Sequence, residues 1–193
     1  MSTRGQAQSR LRIIGGQWRG RKLSFSPEQG LRPTTDRVRE TLFNWLAPDI
    51  RGARCLDLFA GSGALGLEAL SRGAAHCDFV DTSARVVSQL QQHIASLGAG
   101  DRSACHRQSA LQFLATRPAE PWDVVFVDPP FGLGLAPPGL AALQSPGMLA
   151  GHALVYLETG AGEEPPDLPA NWDCHREKRA GDVAYRLFVV TPG

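Results

Sequence analysis

Asp128-Pro129-Pro130-Phe131 is the stretch of this chain best equipped for chemistry. The apolar run Trp122 to Val127 precedes it and reads as a buried strand ending in a carboxylate. Two consecutive prolines remove two backbone donors and fix φ, so the chain leaves the sheet in a stiff, extended turn. The carbonyls of that turn cannot fold back into a helix and stay free to accept hydrogen bonds. An aromatic ring follows at once. A carboxylate, free carbonyls and a flat ring at one strand end suit a planar group carrying an NH2, such as a nucleobase with an exocyclic amine. A plain Pro-rich turn after a strand accounts for the same four residues equally well.

A second constellation shifts that balance. Cys55 to Phe59 is another apolar strand, followed by Ala60-Gly61-Ser62-Gly63-Ala64-Leu65-Gly66 and then by the helical Leu67-Glu68-Ala69-Leu70. Glycines allow a tight turn and close backbone approach to a ligand, and the opening of a helix offers unpaired N–H groups. Gly61, Gly63 and Gly66 match G-x-G-x-x-G, a dinucleotide fingerprint that is weak by itself. A third strand, His76 to Val80, ends in Asp81, where an acid would accept ribose hydroxyls. Strand, glycine loop, helix, strand and acid in that order point to a nucleoside-cofactor site.

These residues must be positioned by alternating strands and helices. Thr35 can cap a helix from Asp36 to about Ala47, with Val38, Leu42, Trp45 and Leu46 as its apolar stripe. Ser83 can cap a second that runs to Leu97, with Gly98 after it. A weak strand near Cys105 and a short helix over Leu111 to Ala115 follow. After the strand ending at Asp128 come a Pro/Gly-rich connection from Gly132 to Gly147 and a strand over Ala153 to Leu157. Asn171 to Arg179 and Val183 to Val190 read as a closing hairpin around Ala180-Gly181-Asp182. The pattern implies an α/β domain, a parallel sheet with helices on both faces. Gly160 to Pro169, rich in Gly, Pro and acids, is expected as a loop.

The net charge of +1 over 193 residues hides an asymmetry. Residues 1–40 hold nine Lys or Arg against three acids, and residues 41–193 hold eleven against sixteen. A basic amino-terminal arm on a mildly acidic domain suggests contact with a polyanion. Arg10, Arg12, Arg19, Arg21 and Lys22 form its densest part, with Trp18 among them and Ile13 to Gln17 readable as a hairpin turn. Arg and Lys would hold phosphates and Trp18 could stack on a base; a solvated edge strand is the plainer reading. Residues 1–30 are taken as this arm and 31–193 as the catalytic domain.

Composition is ordinary for a globular chain, 42% hydrophobic and 20% charged. No apolar run reaches membrane-spanning length and Met1 to Arg10 lacks a signal-peptide core. Cys55, Cys77, Cys105 and Cys174 form no C-x-x-C, which fits a reducing, cytoplasmic location. The five histidines lack ligand spacing, so no metal is expected.

Nearly the whole chain, from about Arg12 to Val190, resembles the RsmD family, the 16S ribosomal RNA (guanine(966)-N2)-methyltransferases. The resemblance is carried by Arg12 to Leu23, by Arg32 to Leu46, by the glycine loop, by Asp-Pro-Pro-Phe, and by the tail from Pro169 to Lys178 and Ala184 to Leu187. It implies the class I methyltransferase fold, a Rossmann-like, seven-stranded, mostly parallel sheet with an antiparallel last strand. It implies S-adenosyl-L-methionine as cofactor, and 16S rRNA, within the small ribosomal subunit, as partner; a monomer without a metal is expected.

On that reading Asp128, Pro129, Pro130 and Phe131 are the catalytic group. Asp57, Phe59, Gly61, Ser62, Gly63, Asp81, Ser109 and Ala110 are the expected cofactor contacts. Many class I relatives carry an acid near Ser109 for the adenine amine; here a helix N-cap explains the serine better. Arg10, Arg12, Trp18, Arg19, Arg21, Lys22, Arg32 and Arg37 are the expected RNA contacts. Arg32, Thr34 and Arg37 could reach cofactor or phosphate across the cleft, although capping and surface pairing serve as well.

Rival readings come from other classes. A nicotinamide oxidoreductase shares the glycine fingerprint but gives no reason for Asp-Pro-Pro-Phe. A non-catalytic RNA-binding assembly factor needs the arm but not Asp128. An adenine-N6 methyltransferase is the nearest chemical neighbour, and a glutamine-modifying enzyme usually has Asn at the position of Asp128.

Overall fold

The computed structural model describes residues 9–25, 34–164 and 166–191, so Arg32 lies outside the described residues. Strand alternation builds the amino-terminal hairpin. β1 (Ser9–Arg12) and β2 (Lys22–Phe25) pair antiparallel, with Arg10 opposite Ser24 and Arg12 opposite Lys22. Leu11, Leu23 and Phe25 point into the core, while Arg10, Arg12 and Lys22 are exposed on the other face.

The connection between the two strands docks on the body of the protein. Ile14 and Gly15 donate their N–H groups to the Glu68 carboxylate at 2.9 and 2.8 Å. Glu68 is 0% exposed and is also paired with Arg72 at 2.8 Å and Arg39 at 3.5 Å. Gly16 lies at φ +76°, and a Cβ there would fall 1.9 Å from the Ser71 carbonyl oxygen. The hairpin's apolar side chains thereby join the main core.

Thr35 caps α1 (Asp36–Trp45), its hydroxyl accepting from the Val38 N–H. Leu42, Phe43 and Leu46 become fully buried, each stabilising by roughly 1.5–3 kcal/mol. Then follow β3 (Arg54–Asp57), α2 (Ala64–Ser71), β4 (His76–Asp81) and α3 (Ala84–Leu97), capped by Ser83 and closed by Gly98 at φ +66°. β5 (Ser103–Arg107), α4 (Ala110–Leu114) and β6 (Trp122–Val127) complete the first half.

The stretch from Gly132 to Gly147, expected as a connection, instead contains α5 (Ala136–Leu143). Its prolines, Pro137 and Pro138, stand in the first turn, where missing N–H groups cost nothing. Ala136, Leu140 and Leu143 form a buried stripe at helical spacing. The expected strand over Ala153 to Leu157 is likewise longer, β7 (Leu149–Gly160). β8 (Trp172–Ala180) and β9 (Val183–Val190) form the closing hairpin.

The seven strands are ordered β5-β4-β3-β6-β7-β9-β8. β3 to β7 are parallel, and β9 inserts antiparallel between β7 and β8. This is the class I methyltransferase topology. Helices α1 to α3 and the hairpin pack on one face, α4 and α5 on the other. No helix among the described residues is long and apolar enough to cross a membrane.

Candidate active site

Because β3, β4, β5 and β6 run in one direction, Asp57, Asp81 and Asp128 all leave the sheet on the same side. They border a cleft of about 770 Å³, within the roughly 300–1,000 Å³ usual for small-ligand sites. The loop after β3, the loop after β4, the start of α4 and the Asp-Pro-Pro-Phe turn form its walls, with Phe25 and Thr34 reaching in from the amino-terminal side. The cleft lies where the sheet order reverses, between β3's two neighbours.

The glycine loop is held by carboxylates rather than by side-chain caps. α2 starts after Gly63, which sits at φ +78° and caps nothing. Asp57 Oδ2 accepts the Gly66 N–H at 3.0 Å and so takes over the cap from the preceding strand. A Cβ on Gly66 would lie 2.3 Å from the Phe79 ring, and one on Gly63 2.4 Å from Leu90. Both glycines therefore serve close packing, and Gly63 stands behind the cleft wall that Gly61 and Ser62 line. Asp57 is 2% exposed; burial, reinforced by Asp81 and opposed by the Gly66 N–H, lifts its pKa to about 7.

Asp81 braces two loops together. Its Oδ2 accepts the Gly61 N–H at 3.0 Å and its Oδ1 accepts the Ser83 N–H at 2.8 Å. The carboxylate is half-buried and borders the cleft, so each oxygen keeps a lone-pair site for a further donor. Ser109 caps α4 in a reciprocal box, its hydroxyl accepting from the Gln112 N–H at 3.2 Å while the Gln112 side chain accepts the Ser109 N–H at 3.1 Å. Phe59, Ser109 and Ala110 border the cleft as well. Leu111, Leu133 and Leu135, 49%, 65% and 39% exposed, give it an apolar rim.

Asp128 is wired quite differently. Its Oδ2 accepts from the Thr34 hydroxyl at 2.9 Å. The same Thr34 oxygen lies 3.3 Å from Glu158 Oε2, and the Tyr156 hydroxyl donates to that Glu158 oxygen at 2.8 Å. Burial, with the Glu158 charge next, pushes the Asp128 pKa well above the ordinary carboxylate range, against the Thr34 hydrogen bond. Pro129 is buried, Pro130 exposed and Phe131 half-buried beside them. The sequence reading missed Glu158 and Tyr156. A carboxylate and a phenol two apart in an otherwise apolar strand, hence on one face, were the available signal.

None of the described basic residues borders the cleft. Arg10, Arg12, Arg19, Arg21, Lys22 and Arg37 are exposed. Arg12 pairs with Asp36 at 3.1 Å and Arg21 donates to the Ser96 carbonyl at 3.4 Å. Trp18 is half-buried, with the Arg102 guanidinium 5.6 Å over its ring. Tyr185 stacks on Trp45 at 5.5 Å, and Arg186 is buried between Thr159 and Glu177, so both brace the closing strands.

Sheet order, glycine loop and strand-end acids together define a class I methyltransferase. The family described as "Conserved hypothetical protein 95" matches residues 11–189. Ribosomal RNA small subunit methyltransferase D of Escherichia coli (strain K12) is 54% identical over 178 residues, 92% of this chain and 89% of the relative. Its namesake from Haemophilus influenzae is 46% identical over 184 residues, 94% and 95% of the two chains. The solved structure of the putative methyltransferase yhhF from Escherichia coli superposes with a TM-score of 0.87 at 51% identity, over 95% of this chain and 99% of that one. The chain belongs to the RsmD family.

Proposed function

We propose that this protein methylates the exocyclic N2 amine of a guanine in small-subunit ribosomal RNA, with S-adenosyl-L-methionine as the methyl donor. The observation that carries the reading is the Asp128 carboxylate, half-buried at the end of β6 beside two prolines and an aromatic ring, facing the cleft that the glycine loop also borders. The names of the family's relatives supply ribosomal RNA; the choice of guanine N2 rests on the resemblance of the motifs.

The cleft fits the cofactor in three respects. Asp81 retains acceptor sites for two ribose hydroxyls after bracing Gly61 and Ser83. The exposed leucines of the rim offer apolar surface to a flat purine. Asp57, at the end of β3 and bound to the Gly66 N–H, borders the cleft where it can orient the methionine part. When bound, the cofactor supplies an electrophilic methyl on a sulfonium.

The chain's own residues then position the acceptor. Asp128 and the Pro129 or Pro130 carbonyl would accept the amine N–H hydrogens, which holds the nitrogen for attack and returns electron density to it. A guanine N2 amine delocalises its lone pair into the ring, so this positioning supplies much of the rate. Phe131 stacks on the unstacked base. The outward face of the hairpin, with Arg10, Arg12, Arg19 and Lys22, takes phosphates. Incubation with labelled cofactor and unmodified small subunits, or their free RNA, tests the reading. Label retained in the RNA is the expected result, and label absent from both RNAs despite cofactor binding would overturn it.

A further inference from the structure

Thr34 links two carboxylates and two pockets. Its oxygen is 2.9 Å from Asp128 Oδ2 and 3.3 Å from Glu158 Oε2, so one hydroxyl stands between two acids brought together from residues 94 and 124 positions away. Asp128 borders the large cleft. Glu158, 5% exposed, instead lines a separate pocket of about 30 Å³ behind Pro129, Pro130 and Phe131, and the exposed Glu163 lines the same pocket. That volume accommodates a water molecule, which needs roughly 10–15 Å³. The Tyr156 hydroxyl holds the Glu158 oxygen that faces Thr34.

We propose that Thr34 and Glu158 form a proton exit for methyl transfer, carrying the amine proton from Asp128 to the small pocket. The inference rests on the methyltransferase reading above. The bond from sulfur to the methyl carbon breaks as the bond from amine nitrogen to that carbon forms, and one N–H proton passes to the Asp128 carboxylate. A half-turn of the carboxyl group presents that proton to Thr34 Oγ1, whose own proton moves to Glu158 Oε2. Asp128 is again a carboxylate, Thr34 is unchanged, and Glu158 releases the proton to water in the small pocket. A raised affinity of Asp128 for protons suits it to take one, and a second acid next to it gives that proton a place to go.

Among the described residues, the groups facing Asp128 are Thr34 ahead of α1, Asp57 from β3, and Glu158 with Tyr156 from β7, with Tyr185 of β9 against Tyr156. The pH profile of single-turnover methyl transfer separates a relay from an electrostatic neighbour. Thr34→Val, which removes the hydroxyl, should move the acid limb to higher pH; Glu158→Gln, which removes the adjacent charge, should move it to lower pH. Each should also lower the plateau rate about tenfold, less than the roughly 10²–10⁴ that loss of the general base itself would cost, because the relay acts through Asp128. The double variant should lose no more than the worse single one, because both act on one path. Thr34→Ser should recover most of the rate lost in Thr34→Val. Cofactor affinity and thermal midpoint, measured on each variant, establish that the fold is intact. A limb that moves while the plateau stays level would overturn the relay, as would losses that multiply in the double variant or a Thr34→Ser protein as slow as Thr34→Val. Wild-type protein that transfers no methyl group would take down both readings, whereas active wild type with level plateaus takes down the relay alone.

Discussion

The cleft has two halves built by opposite means. On the side proposed for the cofactor, Asp57 and Asp81 accept backbone N–H groups from residues 9, 20 and 2 positions along the chain. These contacts are local, and they close as soon as β3, the glycine loop and β4 form. On the acceptor side, Asp128 meets a hydroxyl 94 residues away and, through it, a second buried carboxylate. That arrangement sets like charges close together and persists only because the whole sheet enforces it. One half is a scaffold that happens to leave lone pairs free; the other holds reactive groups in a setting that alters their chemistry.

If the halves are separable, damage to one should leave the other working. The largest effect is expected at Asp128. Asp128→Ala should lower turnover by about 10²–10⁴, the share a positioned proton acceptor supplies, with cofactor affinity little changed. Calorimetry beside a transfer assay checks this, and equal losses in both would merge the halves. Asp81→Ala is the converse. It removes the proposed ribose acceptors and leaves the Gly61 and Ser83 N–H groups without their partner, so cofactor affinity should fall about 10–100-fold while the rate at saturating cofactor survives. A rate lost at saturation would show that Asp81 serves the acceptor side too.

Smaller effects sharpen the contrast. Arg10→Ala or Lys22→Ala on the hairpin should weaken RNA binding a few-fold and reduce the slope of log affinity against log salt by about one each, with cofactor affinity untouched. Binding titrations over a range of salt would read it, and an unaltered slope would remove those residues from the RNA surface. The last test is a pH dependence, read in stability rather than in activity or binding. Folding raises the Asp57 pKa from its ordinary value near 3.8 to about 7, so the native state binds the extra proton. The stability this contributes is complete below about pH 4 and is lost as pH rises to about 7. Asp57→Asn keeps an acceptor for the Gly66 N–H, so thermal midpoints should lose that decline between pH 4 and 7; a decline that persists would assign it to another group.

The same contrast explains what could be read from the sequence. The arrangement of the glycine-loop half was legible because its parts are contiguous: strand, glycines, helix and acid follow one another, and the caps at Thr35, Ser83 and Ser109 are local chemistry. Asp128 was legible through its prolines. Glu158 was not, because in Leu157-Glu158-Thr159 it resembles any polar residue closing a strand, and only the pairing of β6 with β7 brings it beside the Asp128 end of β6. Glu68 was hidden in the same way, a lone acid within an apolar helix that binds the hairpin through two N–H groups contributed 54 and 53 residues earlier. α5 was missed because Pro137 and Pro138 signal a break unless they fall in a first turn.

The most direct test of the central claim identifies the methylated atom. RNA from unmodified small subunits, treated with the protein and S-adenosyl-L-methionine, would be digested to nucleosides and analysed by mass and fragmentation. The account predicts a single new product, N2-methylguanosine, absent when Asp128→Ala replaces the wild type. N6-methyladenosine in its place, or the same yield from Asp128→Ala, would contradict it.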